Sequence, residues 1–274
     1  MMRSTSMIVK LALIVACCSA DSAAADKVDE AWRQLFDSPS VLQKLSQPVV
    51  CFLFIQHPDI IRTQLQEKPA AENSAMRTKN RLAELSGLPC VMLHFTEVKP
   101  GELERPQVKA ILISGRSKSY SRELDQSFYP LIRQTKIPMI GFCGGMQMIG
   151  QAYGAKVAAL RKLHPGEKDP NPKYHPGQFK EWGFLPVKVG QRDPLFAGLP
   201  DELIVREYHA FHMLEPPAGF RLLASSVECP VQAIKHDTRV LYGVQFHPEA
   251  YDDEHPHGRE LLANFFGLIG LGQK

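Results

Sequence analysis

Apolar runs and polar stretches alternate along the chain so that short strand-like segments are separated by helical ones. Val28, Trp32, Leu35 and Phe36 recur at helical spacing, and Val41, Leu42 and Leu45 resume after the Ser38-Pro39 break, which predicts one or two amphipathic helices ahead of the main fold. Val49 to Ile55 is then a run rich in β-formers, Ala75 to Leu85 is helical in pattern, and Cys90 to Phe95 is a second strand. Lys109 to Ser114, Leu124 to Gln134 and Pro138 to Phe142 read as strand, helix and strand, and Met146, Ile149, Ala152 and Tyr153 place a helix directly behind Gly144. Continuous apolar runs joined by helices are what parallel strands covered on both faces require. The prediction is an α/β fold, doubly wound, with a mainly parallel central sheet and helices on both faces.

From about Ala155 onward strands dominate: Gly183 to Val189, Leu203 to Tyr208, Arg221 to Ala224, Val231 to Lys235 and Val240 to Phe246. A terminal helix over Gly258 to Leu268 carries Leu261, Leu262, Phe265 and Phe266 as its apolar stripe. Leu163 to Phe179 is too polar for core and reads as a surface loop flanked by His164 and His175, with closure over a site as one role open to it.

Residues 1–25 stand apart. Arg3 and Lys10 precede a short apolar run, Leu11 to Cys18, and small residues follow at Ala23 to Ala25, the three-part pattern of an export signal. Ile14 to Cys17 also resembles a bacterial lipobox, in which Cys17 would carry a lipid anchor. The expected organisation is a leader over 1–25, a helical extension over 26–47 and an α/β domain over 48–274. A working leader places the protein in the periplasm or cell envelope; without one it is cytoplasmic. No later segment approaches the ~18 uninterrupted apolar residues of a membrane span.

Composition narrows the partners. With 274 residues, 44% hydrophobic and 22% charged, the chain has the profile of a folded protein, and 32 Lys+Arg against 29 Asp+Glu gives no basic footprint for nucleic acid. A small-molecule substrate is expected instead. Of six cysteines, Cys17 and Cys18 belong to the leader and Cys51 and Cys90 to apolar strands, so no disulfide framework is read.

Cys143 differs in its surroundings. Gly141-Phe142-Cys143-Gly144-Gly145 matches G-x-C-x-G, a nucleophile elbow whose glycines permit the sharp turn that lifts a side chain above the sheet edge. A helix starting behind the sulfur favours the thiolate, and the N–H groups of its first turn can hold an oxyanion. His247, at the end of the last predicted strand, can take the thiol proton, and Glu249 projects to the same side two residues on and can orient the imidazole. In α/β-hydrolases the acid precedes the histidine; here it follows.

GFCGGMQ (Gly141 to Gln147), ILISG (Ile111 to Gly115) and YGVQFHPE (Tyr242 to Glu249), in that set, resemble the class I, or triad, glutamine amidotransferases. Asp193 to Pro200, Leu222 to Ser226 and Cys229 to His236 are most similar to the glutaminase portion of GMP synthases, and γ-glutamyl hydrolases share the triad. The resemblance implies that Cys143 attacks the γ-carboxamide of glutamine to form a γ-glutamyl thioester, that His247 shuttles the proton and that Glu249 orients it. It implies oxyanion-hole roles for Gly115 and Gly144, a substrate-holding role for Gln147 and a place for His209 beside the substrate. It implies no metal and no organic cofactor. Two positions depart from the family pattern: Gly115-Arg116-Ser117 replaces the usual Gly-Gly-Pro, so that Arg116 is a candidate to meet a substrate carboxylate, and Gly144 stands where Leu, Tyr or Arg is common.

His255-Pro256-His257 has the look of a metal pair but lacks a third ligand nearby, and reads as a solvated loop. With no nucleotide-binding Gly-rich loop in the chain, a synthetase that accepts the ammonia is either a separate subunit or absent. A free-standing exported γ-glutamyl peptide hydrolase and a non-catalytic binding module on the same fold are the alternative expectations.

Overall fold

The computed structural model describes residues 25–272; the leader expected over 1–25, Cys17 included, lies outside the described residues save for its last position. Eleven strands follow in chain order: β1 (Val49–Phe54), β2 (Cys90–His94), β3 (Val108–Ile113), β4 (Met139–Phe142), β5 (Val157–Ala159), β6 (Glu181–Val189), β7 (Glu202–His209), β8 (Phe211–Met213), β9 (Phe220–Ser225), β10 (Ala233–His236) and β11 (Leu241–Val244). The main sheet runs β2-β1-β3-β4-β11-β10-β9-β6-β7, and β5 pairs with β8 separately. Its first five strands are mutually parallel, and β10, β9, β6 and β7 continue it antiparallel.

Strand alternation sorts the core into two layers. Val50, Phe52, Met92, Leu112, Ile140 and Phe142 face α3 (Ser74–Ser86) and α6 (His257–Leu268), whose Leu82, Leu85, Leu261, Leu262, Phe265 and Phe266 fill the first layer. Cys51, Leu53, Leu93, Ile111, Ile113 and Met139 face α4 (Arg122–Gln134) and α5 (Gly144–Ala152), which contribute Phe128, Leu131, Ile132, Met148 and Ile149. Burial on both faces is why these strands read as unbroken apolar runs.

The helical extension covers the edge of β2. A first helix, α1, spans residues 25–35; Trp32 Nε1 donates to Glu97 at 2.8 Å, and Asp37 accepts from Lys79 Nζ at 2.7 Å and from the N–H of Met92 at 2.8 Å. An otherwise unpaired edge is thereby occupied.

One helix, α2 (Pro58–Glu67), escaped the hydrophobic pattern, because only Ile61 and Leu65 of its ten residues are buried. β5 and β8 are three residues each, too short for alternation to register. The remaining predicted elements coincide with observed ones to within a few residues at their ends.

Parallel register carries the two chemical segments to one place. Val244 lies opposite Phe142, so the residues that follow β4 and β11 emerge side by side at the same sheet edge, and the N–H of Cys143 donates to Val244 O at 2.8 Å.

Candidate active site

Cys143 follows β4 with φ 49° and ψ −109°, a conformation that a residue with a side chain rarely adopts. The turn holds because its neighbours lack side chains: a Cβ on Gly141 would stand 2.5 Å from the carbonyl carbon of Gly145, and one on Gly145 would press on Ile113 O. The sulfur sits where α5 begins, at the positive end of the helix and beside its unpaired first-turn N–H groups.

His247 leaves the end of β11, tied down where its N–H donates to Arg206 O at 2.8 Å. Its Nδ1 lies 2.7 Å from Glu249 Oε1, while Nε2 is buried without a hydrogen-bond partner among the described residues. A methyl group on Gly115 would stand 3.3 Å from this Nε2, 3.3 Å from Cys143 Cβ and 2.6 Å from His247 Cε1. Gly115, Cys143 and His247 therefore surround one small space. Burial works against charge on His247, but the Glu249 carboxylate and the Cys143 side chain outweigh it and hold the imidazole pKa well above its ordinary value. Arg81 Nη1 donates to the Glu249 carbonyl at 2.7 Å and fixes the turn that carries the acid.

The loop after β3 is braced on three sides. Ser114 Oγ accepts from the N–H of Ile55 at 2.8 Å and donates to Gly115 O at 2.9 Å. Gln56 Oε1 accepts from the N–H of Ser117 at 3.1 Å, and its Nε2 donates to Ser117 Oγ at 3.0 Å. Arg116 reaches Asp125 through two bonds of 2.6 and 2.7 Å with both side chains largely buried, so its guanidinium is committed within the protein even though it borders the site.

On one side of the sulfur lies a cavity of about 260 Å³ bordered by Cys143, Gln147, Tyr174, His175, His209 and Phe211. Gln147 Nε2 donates to Phe211 O at 3.0 Å and to Gln245 Oε1 at 3.1 Å. Tyr174 and His175 come from the polar loop, which is anchored by the fully buried Lys180 Nζ on Asp169 at 2.7 Å; His164 stays outside the cavity, its N–H donating to Glu167.

His209 is 1% exposed and lies between two buried carboxylates, Glu181 at 2.9 Å and Glu207 at 3.1 Å, with Nδ1 3.0 Å from Phe211 O. Burial lowers its affinity for a proton, but Glu181 and Glu207 prevail and raise the pKa to about 10. Burial in turn raises the pKa of Glu207. The cavity wall thus carries a buried imidazolium facing the thiol side of the site. Neither glutamate was singled out from sequence. Glu207 precedes His209 by two and so shares its strand face, a readable signal; Glu181 meets His209 only through the β6–β7 register.

Among the described residues, Glu181, His209 and Cys229 form one cluster with metal-ligand chemistry, their ligand atoms within 4.8 Å of one another. Its donors are already engaged: Glu181 accepts from Ser226 and Gln232, and Cys229 Sγ donates to Val231 O. His257 Nδ1 accepts from the N–H of Ile204 at 2.8 Å and His255 stacks on Phe184 at 3.8 Å, so the two rings of the His255-Pro256-His257 segment serve separate packing roles.

Comparison with known proteins agrees with this architecture. The family model for glutamine amidotransferase class-I matches residues 76–268. The chain is 32% identical over 192 residues to the glutamine-hydrolysing GMP synthase of Syntrophomonas wolfei, a match that takes in 70% of this chain and only 34% of that protein. It is 32% identical over 169 residues to a glutamine-hydrolysing GMP synthase subunit of Thermococcus kodakarensis, covering 62% of this chain and 80% of that one. A solved structure described as a GMP synthase subunit of Thermoplasma acidophilum shares the fold, with a TM-score of 0.62 at 24% identity over 82% of this chain and 96% of the other. The chain belongs to the class I glutamine amidotransferase family.

Proposed function

We propose that the protein hydrolyses the γ-amide of glutamine, with Cys143 as nucleophile, His247 as proton carrier and Glu249 as the group that orients it. The observation that carries this reading is the meeting of the strained Cys143 elbow, His247 Nε2 and Gly115 around one space, with Nδ1 held 2.7 Å from Glu249.

The thiolate attacks the amide carbon and the carbonyl oxygen becomes an oxyanion, for which the N–H groups of Gly115 and Gly144 are the proposed donors. His247 donates its proton to the departing nitrogen, leaving a γ-glutamyl thioester and ammonia. Water, deprotonated by the same imidazole, then releases glutamate and the thiol. Gln147 and the His209 imidazolium border the cavity in which the amino-acid end of glutamine would lie. The relatives that are named as one subunit of a GMP synthase support a further proposal, that a separate synthetase takes up the ammonia.

The purified full chain is expected to release ammonia from L-glutamine, and Cys143→Ala to lose that activity. Hydroxylamine is expected to divert the thioester to γ-glutamyl hydroxamate in the wild type alone. Equal ammonia release by both forms would remove the mechanism. Export through residues 1–25 is likewise a proposal, checked by mass spectrometry of the mature N-terminus in the native host.

A further inference from the structure

A second cavity meets the first at Cys143, Arg116 and Ser117 and opens on the opposite side, past His247 and Glu249. Its volume is about 380 Å³, more than ten times the ~30 Å³ share of a molecule the size of water. In the proposed mechanism the departing nitrogen takes its proton from His247 Nε2, so this is the side on which the leaving group must lie. Ammonia does not call for such a space.

The outer wall is built from Ile60, Gln64, Ser74, Arg77, Thr78 and Arg81. Ile60, Gln64 and Ser74 precede residue 76, where the match to the family model begins, whereas Arg77, Thr78 and Arg81 on α3 lie within it. Two of the six are cations. Among the described residues neither Arg77 nor Arg81 enters a salt bridge, and the one carboxylate bordering the cavity, Glu249, is engaged by His247. Arg81 lies 3.9 Å over the ring of Tyr251 and spends Nη1 on the Glu249 carbonyl, which holds the rest of its guanidinium in place.

We infer that this cavity receives the amine portion of a γ-glutamyl amide and that this portion carries a carboxylate: the substrate class is an amino acid or short peptide in γ-glutamyl linkage. A carboxylate beside the scissile nitrogen is what a pair of arginine side chains recognises by charge and by fork geometry. The inference rests on the thioester chemistry proposed above. The step balances in the same way: the Sγ–C bond forms, the C–N bond breaks, the His247 proton passes to the released amino group, and water later frees glutamate.

The test compares kcat/KM of the full chain for γ-glutamyl-glutamate, γ-glutamyl-glycine, the neutral γ-glutamyl-methylamide and L-glutamine. The acidic substrates are expected to exceed the methylamide by about tenfold or more, the scale of a charged hydrogen bond. Arg77→Glu, on an exposed helix position, is expected to collapse that ratio toward one. A wild-type ratio near one, or turnover of glutamine with none of the extended substrates, overturns the inference and leaves the glutaminase reading standing. Absence of turnover and of hydroxamate with every substrate removes both.

Discussion

A Cβ on Gly144 would stand 2.8 Å from Cγ of Arg116 and 3.0 Å from its backbone nitrogen. The arginine after Gly115 and the glycine after Cys143 are therefore one arrangement: the Arg116 stem occupies the space that a side chain at position 144 would need, and Asp125 anchors it there. Gly144→Leu alone is expected to destabilise the protein by about 1–3 kcal/mol, the usual cost of overpacking, and to lower activity. Combining it with Arg116→Gly should recover part of the loss. A double-mutant cycle on urea unfolding reads the coupling, and strict additivity would separate the two positions.

Glu249 acts on His247 across 2.7 Å, and its carboxylate opposes the effect of burial on the imidazole. Glu249→Gln removes that opposition, so the imidazolium gives up its proton at lower pH. Since the departing nitrogen needs that proton, the alkaline limb of the kcat–pH profile should move to lower pH, and kcat should fall by about 10²–10⁴-fold. An unmoved limb would show that Glu249 does not set the proton affinity of the pair.

His209 holds a proton up to about 10 in the fold, against an ordinary value of 6.5. A raised pKa contributes stability that is complete below 6.5 and is lost as pH rises through about 10. The melting temperature should accordingly fall across that window. His209→Gln should start about 3–5 kcal/mol less stable, because Glu181 and Glu207 lose their buried counter-charge, and should show a flatter slope. Calorimetry in matched buffers checks both.

Gly115 and Gly145 are expected to answer differently to alanine. The new methyl at Gly145 would press on the backbone of Ile113, which cannot turn away, so folding stability should drop. At Gly115 it would meet the His247 ring at 2.6 Å, a side chain that can be displaced from Cys143, so kcat should fall more than stability. Far-UV melting beside ammonia release distinguishes them; a stable, fully active Gly115→Ala would refute the crowding at this point.

The α/β class and nearly every element were legible in the apolar runs, because strands buried on both faces carry no polar alternation to confuse them. α2 was not, since it shows the core only Ile61 and Leu65. Arg116 illustrates the same limit in the site: its position beside the nucleophile was readable, whereas its commitment to Asp125 depends on how α4 packs against the loop.

By itself the sequence determined the features whose physics is local. An elbow needs glycines within a few residues of Cys143, and an acid two places after His247 is near it by sequence, although Glu249 reaches Nδ1 from the short 3-10 turn Pro248–Ala250 and not from the extended chain the sequence suggested. What faces that centre across space was decided by the tertiary structure. Glu181 reaches His209 through the pairing of β6 with β7, Gln56 braces Ser117 from another strand end, and Arg77 and Arg81 line the far cavity only because α3 docks beside the turn of Glu249. Such relationships join segments far apart in the chain, and they exist only once sheet register and helix packing have set the distances.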